Sequence, residues 1–476
     1  MLDQPWFLWG SAAAVAALVL VGYLWAHRRQ AVHDRERLGE AQRLGIDTPK
    51  GQFPYVDPAI CIGCGGCIPA CPEGDVLGLV GGLATVVNGL RCIGIGQCAE
   101  VCPVEAIEIR VGALRGRADV PWITDQLETS VPGVFVVGEL GGLALIRNAV
   151  EQGRDTVRHL ATLLPARPTD PRPSTPEIRD VAIVGAGPSG LAAALTAIEE
   201  GLSHVVLEQA EDFGGTVFHY PRLKLTHTQP VTLPLYGTLE RPEYTKEELL
   251  ELFHDLIEHH RVQLRLGCRV TAIEPTPDGF RLHSGSGEVL ARTVLLALGR
   301  RGTPRKLGVP GEELPKVMYQ VRDVSEIRDS RILCVGGGDS AIEAALGLSR
   351  QPGNRVTISY RKEQFFRIKK KNQERLERRV ARGKIELLLR SRVVEIRDGI
   401  VRLAGPEGEV EIENDLVFVM IGGIPPFDLL RKSGVALGDA PDPFTAQPKR
   451  SEPRPHLPSQ PSVTASVSSS SPNRRS

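Results

Sequence analysis

An α/β chain built on two doubly wound folds, with a small α+β module and one N-terminal apolar helix, is what three features of the sequence predict. A glycine-rich turn of the form G-x-G-x-x-G or G-x-G-x-x-A occurs twice, each time between a β-branched run and a helical stretch. Seven of the nine cysteines lie between residues 61 and 102, in regular spacings. Residues 6–26, WFLWGSAAAVAALVLVGYLWA, carry no charge. At 476 residues the chain exceeds what one hydrophobic core usually serves, so several domains are expected. Its 57 basic and 57 acidic side chains leave no electrostatic footprint for nucleic acid.

Segment 1–26 is read as a transmembrane anchor on the strength of its apolar run at 6–26. As a helix it would span roughly 30 Å, the hydrocarbon thickness of a bilayer. Trp6 and Trp9 mark one end and Tyr23 and Trp25 the other, as interfacial aromatics do. A cleaved signal peptide fits poorly, because MLDQP carries Asp3 and no positive side chain. Arg28, Arg29, Arg35 and Arg37 follow the span, which places the N-terminus outside and the remaining domains in the cytoplasm. Residues 27–52 are charged and helix-prone, a stalk. Further on, LPARPTDPRPSTPE opens a Pro-rich linker over 164–178, and the Pro- and Ser-rich tail, 439–476, reads as disordered.

The cysteine module occupies 53–111. CIGCGGCIPACP holds Cys61, Cys64, Cys67 and Cys71, and RCIGIGQCAEVCP holds Cys92, Cys98 and Cys102. Aligned on each other, the two runs agree except that Ile95 stands where a cysteine would be. The C-x2-C-x2-C-x3-C-P pattern resembles the bacterial ferredoxins that hold two iron–sulfur clusters. That resemblance implies that three cysteines of one run combine with the last of the other. One site would then take Cys61, Cys64, Cys67 and Cys102, a full set for [4Fe–4S]. The other would take Cys92, Cys98 and Cys71 and lack its fourth thiolate. A [3Fe–4S] cluster, or [4Fe–4S] with a non-protein ligand, is expected there. An empty site packed by Ile95 stays open.

DVAIVGAGPSGLAAALTAIEEGLSHVVLEQ, 180–209, is a strand, a turn, a helix and a second strand ending in Glu208. Gly185 permits the tight turn, Gly187 lets the backbone approach a pyrophosphate, and Gly190 lets helix pack on strand. Glu208 is placed to accept from a ribose hydroxyl. RILCVGGGDSAIEAALGLSRQPGNRVTISYRK, 331–362, repeats the pattern with Gly336, Gly338 and Ala341. Its second strand ends in Tyr360, Arg361 and Lys362 instead of an acid, with Arg367 beyond. Two cations without the acid favour a 2′-phosphate, hence NADPH over NADH. Both units are therefore Rossmann-like.

From 180 to 438 the chain resembles the pyridine nucleotide-dependent flavoprotein reductases of the thioredoxin-reductase type. The resemblance implies that 179–315 binds FAD, 316–415 binds NAD(P)H, and 416–438 returns to the FAD fold. Two departures matter. No redox C-x2-C pair exists outside the cysteine module: Cys268 and Cys334 are isolated and read as small buried strand residues. The final FAD-binding segment, with its G-D motif, is missing after residue 438. ETSVPGVFVVGELGG, within 112–163, resembles it, with Gly138 and Glu139 in place of G-D. The reductase is thus expected to be circularly permuted.

Hydride arrives as two electrons and iron–sulfur clusters accept one, and a flavin handles both. The expected function is a membrane-anchored NADPH-dependent flavin/iron–sulfur oxidoreductase with no side-chain acid or base as catalyst. His219 and Tyr220 are expected near the flavin. Quinone, a soluble ferredoxin and a membrane complex all suit as electron acceptor, and a homodimer is the oligomeric expectation. A low-molecular-weight disulfide reductase and a non-catalytic redox sensor stay open as alternatives.

Overall fold

The computed structural model describes residues 5–45, 51–111, 118–164, 178–222, 224–228, 230–321, 323–366 and 368–438. The Pro-rich linker except its ends, the tail and Arg367 lie outside the described residues.

Helix α1, Pro5–Leu44, runs unbroken through the apolar span and the charged segment. No Pro or Gly pair interrupts it, and its apolar half is bare: Trp9, Leu18 and Trp25 are exposed. The charged half is not a free stalk. Asp34 is fully buried, and its Oδ2 accepts from the backbone N–H of Leu79 at 2.9 Å. Arg37 pairs with Asp34 at 3.1 Å and donates to the carbonyl of Asp75 at 2.7 Å. Gly78 leaves room for this contact, since a Cβ there would stand 2.8 Å from Asp34 Cγ.

The cysteine module is a pair of pseudo-repeated halves. Strand β1, Gln52–Val56, returns antiparallel to β4, Ile107–Val111. Between them lie helix α2, Cys67–Ala70, the hairpin β2, Leu77–Val80, and β3, Leu83–Val86, and helix α3, Gln97–Glu100. Its small core combines Val76, Leu77, Ala84 and Ile107 with Cys67 and Cys98. A module this size buries little apolar surface and depends on what its cysteines hold.

The first dinucleotide fold is a mixed sheet with a buried parallel centre. In spatial order it runs β8, Leu264–Arg265; β7, His204–Leu207; β6, Ile178–Val184; β11, Gly287–Leu296; β10, Gly279–Ser284; and β9, Val270–Thr276. The β9–β11 strands form an antiparallel meander. Strand β5, Val134–Val136, comes from before the Pro-rich segment and joins this sheet, pairing parallel to β11 with Val294 opposite Val134. Its three residues are all buried, as the middle layer of an α/β fold requires.

Helix α4, Ile146–Leu163, buries Ile146, Val150, Val157 and Leu160 on one face. It crosses α5, Pro188–Glu199, where Gly153 meets Ser189: a Cβ on Gly153 would lie 2.2 Å from the Ser189 carbonyl. Helix α6, Lys246–His260, begins with a capping box between Thr245 and Glu248 and covers the same core through Phe253.

The second fold inserts after β11. All five of its strands are parallel, in the order β12, Val317–Met318; β19, Leu416–Val419; β13, Arg331–Val335; β14, Arg355–Tyr360; and β15, Ile385–Leu389. Helix α7, Asp339–Leu348, follows β13, and α8, Lys370–Ala381, follows β14. A three-stranded antiparallel layer of β16, Arg392–Arg397, β17, Ile400–Gly405, and β18, Gly408–Glu413, covers the opposite face.

Candidate functional site

The first fingerprint has the geometry of a phosphate cradle. Gly185 sits at φ +113°, and a Cβ on it would lie 2.4 Å from the Ala297 carbonyl. A Cβ on Gly190 would stand 1.9 Å from the Gly185 carbonyl, so helix and turn touch through bare backbone. Gly187 is the N-cap of α5, and its nearest prospective contact is 3.9 Å away, leaving the helix N-terminus open to an anion. Glu208 is buried and spans the turn: one carboxylate oxygen accepts from Ala186 N–H at 2.8 Å and the other from Ala210 N–H at 3.0 Å. The acid therefore fastens the loop as well as facing the cavity.

That cavity measures about 1410 Å³, above the ~300–1,000 Å³ of ordinary ligand sites and sized for an extended dinucleotide. Gly185, Gly187, Glu208 and Glu139 all line it. Gly138, at φ +77°, packs on α5, where a Cβ would meet Ser189 Oγ at 2.8 Å, and its N–H donates to Gln152 Oε1 at 2.7 Å. Burial pushes the Glu139 carboxyl up from its ordinary range, and Arg300 opposes that shift. His219 and Tyr220 also line the cavity, and burial raises the Tyr220 phenol to about 12. These surroundings fit FAD. Replacing Gly190 by Val is expected to abolish flavin retention, since a branched side chain cannot enter a 1.9 Å gap beside backbone; the visible flavin spectrum of the purified protein checks it.

Cys268 was expected in a strand. It lies in the turn between β8 and β9, buried, accepting from Ser286 Oγ at 2.9 Å, and it lines the flavin cavity. A buried cysteine at a turn looks the same in sequence as one in a strand. Cys334 is in β13 and fully buried.

At the second fingerprint Gly336 has φ +144° beside the Met420 carbonyl, Gly338 caps α7, and Ala341 is buried. The ring of Tyr360 covers Gly337, whose Cβ would lie 2.1 Å from the ring, and Tyr360 stacks on Phe365 at 5.0 Å. Arg361 and Lys362 are exposed just past that ring, a placement that fits a 2′-phosphate. None of Gly336, Gly338, Ala341, Arg361 or Lys362 lines the flavin cavity; the residues of this fold that do include Val317–Val321, Phe418 and Lys369. Arg367 lies outside the described residues.

In the cysteine module, glycines at positive φ turn the backbone around the thiols: Gly63 at +67°, Gly65 at +73°, Gly94 at +76° and Gly96 at +92°. Cys71, Cys92 and Cys98 line one recess together with Ile93 and Ile95. Burial pushes the Cys92 and Cys98 thiols up to about 11, and the Cys71 thiol acts in the same direction on both. Burial likewise raises Cys67 to about 11, with Cys98, Cys64 and Cys61 adding to it. Cys71, Cys92 and Cys98 thus share one recess, Cys67 lies among Cys98, Cys64 and Cys61, and Cys102 accepts from Ala106 N–H at 3.2 Å. Bound iron would offset the cost of ionising them. Among the described residues no three such ligands are gathered as one ion would need. Glycine turns and a shared recess fit clusters.

The module is fastened on two sides to the rest of the molecule. Gln52 Oε1 accepts from Asn148 of α4 at 2.9 Å, and the Gln52 carbonyl accepts from Cys92 Sγ at 3.7 Å. Buried Glu73 pairs with Lys369 at 2.7 Å, Asp75 pairs with Lys370 at 3.2 Å, and Arg91 donates to Gln373 at 2.7 Å. Sequence patterns held no trace of these contacts, and the three to the nucleotide fold join residues nearly 300 positions apart.

Two nucleotide folds around one flavin-sized cavity, with cluster ligands bolted alongside, define a flavoprotein reductase with its own iron–sulfur module. The chain belongs to the pyridine nucleotide-disulphide oxidoreductase family, whose model matches residues 182–452, and a 4Fe-4S dicluster domain model matches residues 53–103. The ferredoxin–NADP reductase of Ignicoccus hospitalis is 31% identical over 259 residues, 52% of this chain and 78% of that protein. That of Thermus thermophilus is 30% identical over 269 residues, 54% of this chain and 77% of that one. Among solved structures, the bacillithiol disulfide reductase Bdr of Bacillus cereus aligns with a TM-score of 0.50 and 26% identity, covering 54% of this chain and 82% of that one. The protein is a flavin- and NAD(P)H-dependent oxidoreductase of ferredoxin–NADP reductase or thioredoxin reductase type, with FAD, NADP and a 4Fe-4S domain.

Proposed function

We propose that this enzyme is a membrane-anchored reductase that moves electrons from NADPH through FAD and the cluster module to an acceptor at the membrane. FAD supplies the conversion between a two-electron hydride and single electrons. The chain's own part is positional: Gly187 and the α5 N-terminus hold phosphate, Glu208 fixes the turn, and β5 with α4 closes the flavin fold. We read β5 and α4 as the family's last FAD segment, permuted ahead of the first. The family match opens at residue 182, downstream of both elements, and their pairing with β11 and α5 is what supports this reading.

The observation that carries the proposal is the position of the cluster module between α1 and the flavin fold. Asp34 binds it on one side and Asn148 on the other. Asp34 is eight residues beyond the apolar run, about 12 Å along the helix. A helix long and apolar enough to cross a membrane thus presents the module near the bilayer surface. This favours a quinone or a membrane complex over a soluble ferredoxin. The charge order after the span supports a cytoplasmic module. The test is NADPH oxidation by the full chain in vesicles with and without quinone. Turnover that needs quinone supports the proposal, and turnover only with added ferredoxin sinks its acceptor.

NADPH preference gives a separate check. Arg361→Ala with Lys362→Ala is expected to lower the NADPH-to-NADH ratio of kcat/KM about tenfold or more, since hydrogen bonds to charged groups contribute ~1.5–3 kcal/mol. A second reading rests on Cys268, which lines the flavin cavity. Under it the enzyme reduces a low-molecular-weight disulfide, as the Bdr comparison suggests, and NADPH consumption with that substrate would survive loss of the clusters.

A further inference from the structure

We infer that the three-cysteine site is the electron entry port of the module and that Ile93 is the wall electrons cross to reach it. The inference rests on the relay proposed above. Ile93 lines both the 1410 Å³ flavin cavity and the recess formed by Cys71, Cys92 and Cys98. Ile93 is therefore a wall that the two sites share. The Glu73–Lys369 pair repeats the relation, because Glu73 lines the recess and Lys369 lines the cavity, 2.7 Å apart.

Glu208 marks the adenosine part of the cavity by the logic of the fingerprint. Ile93 lines the same cavity as Glu139, Leu145 and Ile146 of the β5–α4 segment, and the inference sets the flavin ring beside them. Gln52 closes the same gap from the module, touching Asn148 of α4 and accepting from Cys92 Sγ.

None of the seven module cysteines lines the cavity itself, and it is the Cys71/Cys92/Cys98 recess that shares Ile93 with it. Cys64 is exposed, and the neighbouring Ile62 is 64% exposed. Electrons thus enter at Cys71/Cys92/Cys98 and leave from Cys61/Cys64/Cys67/Cys102. The balance is simple. One NADPH gives up a hydride, two one-electron reductions of clusters follow, and NADP+ and one proton are released.

In this order the incomplete site is the first acceptor. A site with three thiolates holds a cluster of different type or ligation, and that difference sets its potential apart from a four-thiolate cluster's. Ile95 thereby makes the two clusters of the relay unequal.

The test is EPR of the full chain frozen at intervals after mixing with NADPH, in wild type, Cys98→Ala and Cys64→Ala. Dithionite reduction of each sample reports which clusters are present. In wild type the signal of the three-cysteine site is expected to change before that of the four-cysteine site. In Cys98→Ala the remaining cluster should respond to dithionite but be reduced by NADPH at least tenfold more slowly. In Cys64→Ala the three-cysteine site should still be reduced by NADPH. Equal rates for the four-cysteine cluster in wild type and Cys98→Ala would overturn the inference. If Cys98→Ala loses both clusters, Cys92→Ala takes its place, and the wild-type order alone decides if both fail. Failure of NADPH to reduce any cluster in wild type would instead remove the relay itself.

Discussion

Ile95→Cys is expected to convert the second cluster site to a four-thiolate one, raising the iron content from about seven to about eight per chain. Ile95 lines the recess with Cys71, Cys92 and Cys98, so a thiol at that position faces the same space. The loop also has the freedom it needs, because Gly94 and Gly96 on either side sit at φ +76° and +92°. Gly94 is close-packed, with a prospective Cβ only 2.3 Å from Gln52 Cβ, so the loop is held in place while the side chain between the glycines changes. The wild type should show the signal of an oxidised three-iron cluster, and the variant should lose it and gain a second reduced four-iron signal. The added thiolate changes the cluster's type or ligation, so the site's potential should shift. Iron analysis and EPR of anaerobic protein check both. Identical iron content and spectra in the two proteins, with only one cluster in each, would show that the site is a remnant and that a single cluster suffices.

What could be read without a structure was local. Each fingerprint is a strand, a turn and a helix within about 30 consecutive residues, and the positive φ that calls for Gly185 or Gly336 belongs to the turn itself, although the carbonyls pressed against them come from distant Ala297 and Met420. The cysteine runs are equally compact, so the family resemblance on both sides was legible from spacing. The relation between the parts was not. Ile93 is an unremarkable apolar residue in sequence; its interest comes only from facing two recesses at once. Glu73 and Lys369 lie in different domains, and neither sits in a motif. Helix α1 shows the same limit differently. Charged residues after an apolar span look solvated, yet Asp34 is buried against β2 because one backbone N–H needs an acceptor there. Tertiary contacts override that pattern whenever a buried donor must be satisfied.

Glu73→Lys is expected to uncouple the module from the reductase: reduction of the clusters by NADPH should slow at least tenfold, while reduction of a soluble dye by the flavin stays within about twofold. Glu73 is 4% exposed, and among the described residues its ion-pair partner is Lys369 at 2.7 Å. Because Lys369 is itself more than a third exposed, the native pair contributes only about 1 kcal/mol or less. Inverting the charge is a different matter, since it sets two ammonium groups together at a half-buried contact, and like charges brought together at an interface cost several kcal/mol. Each 1.4 kcal/mol lost in docking is about tenfold in the docked population. The neighbouring contacts, Asp75 with Lys370 and Arg91 with Gln373, depend on the same surface and would loosen with it. Burial pulls the Arg91 guanidinium down from its usual range and Asp75 of the same module counters that, while its contact across the seam is the hydrogen bond to Gln373. Adding Lys369→Glu restores opposite charges in reversed order and should recover most of the cluster reduction. If dye reduction falls as far as cluster reduction, the pair serves the nucleotide fold and not the docking. If neither rate changes while the clusters remain intact, the tether through Gln52 and Asn148 alone is enough to hold the module in place.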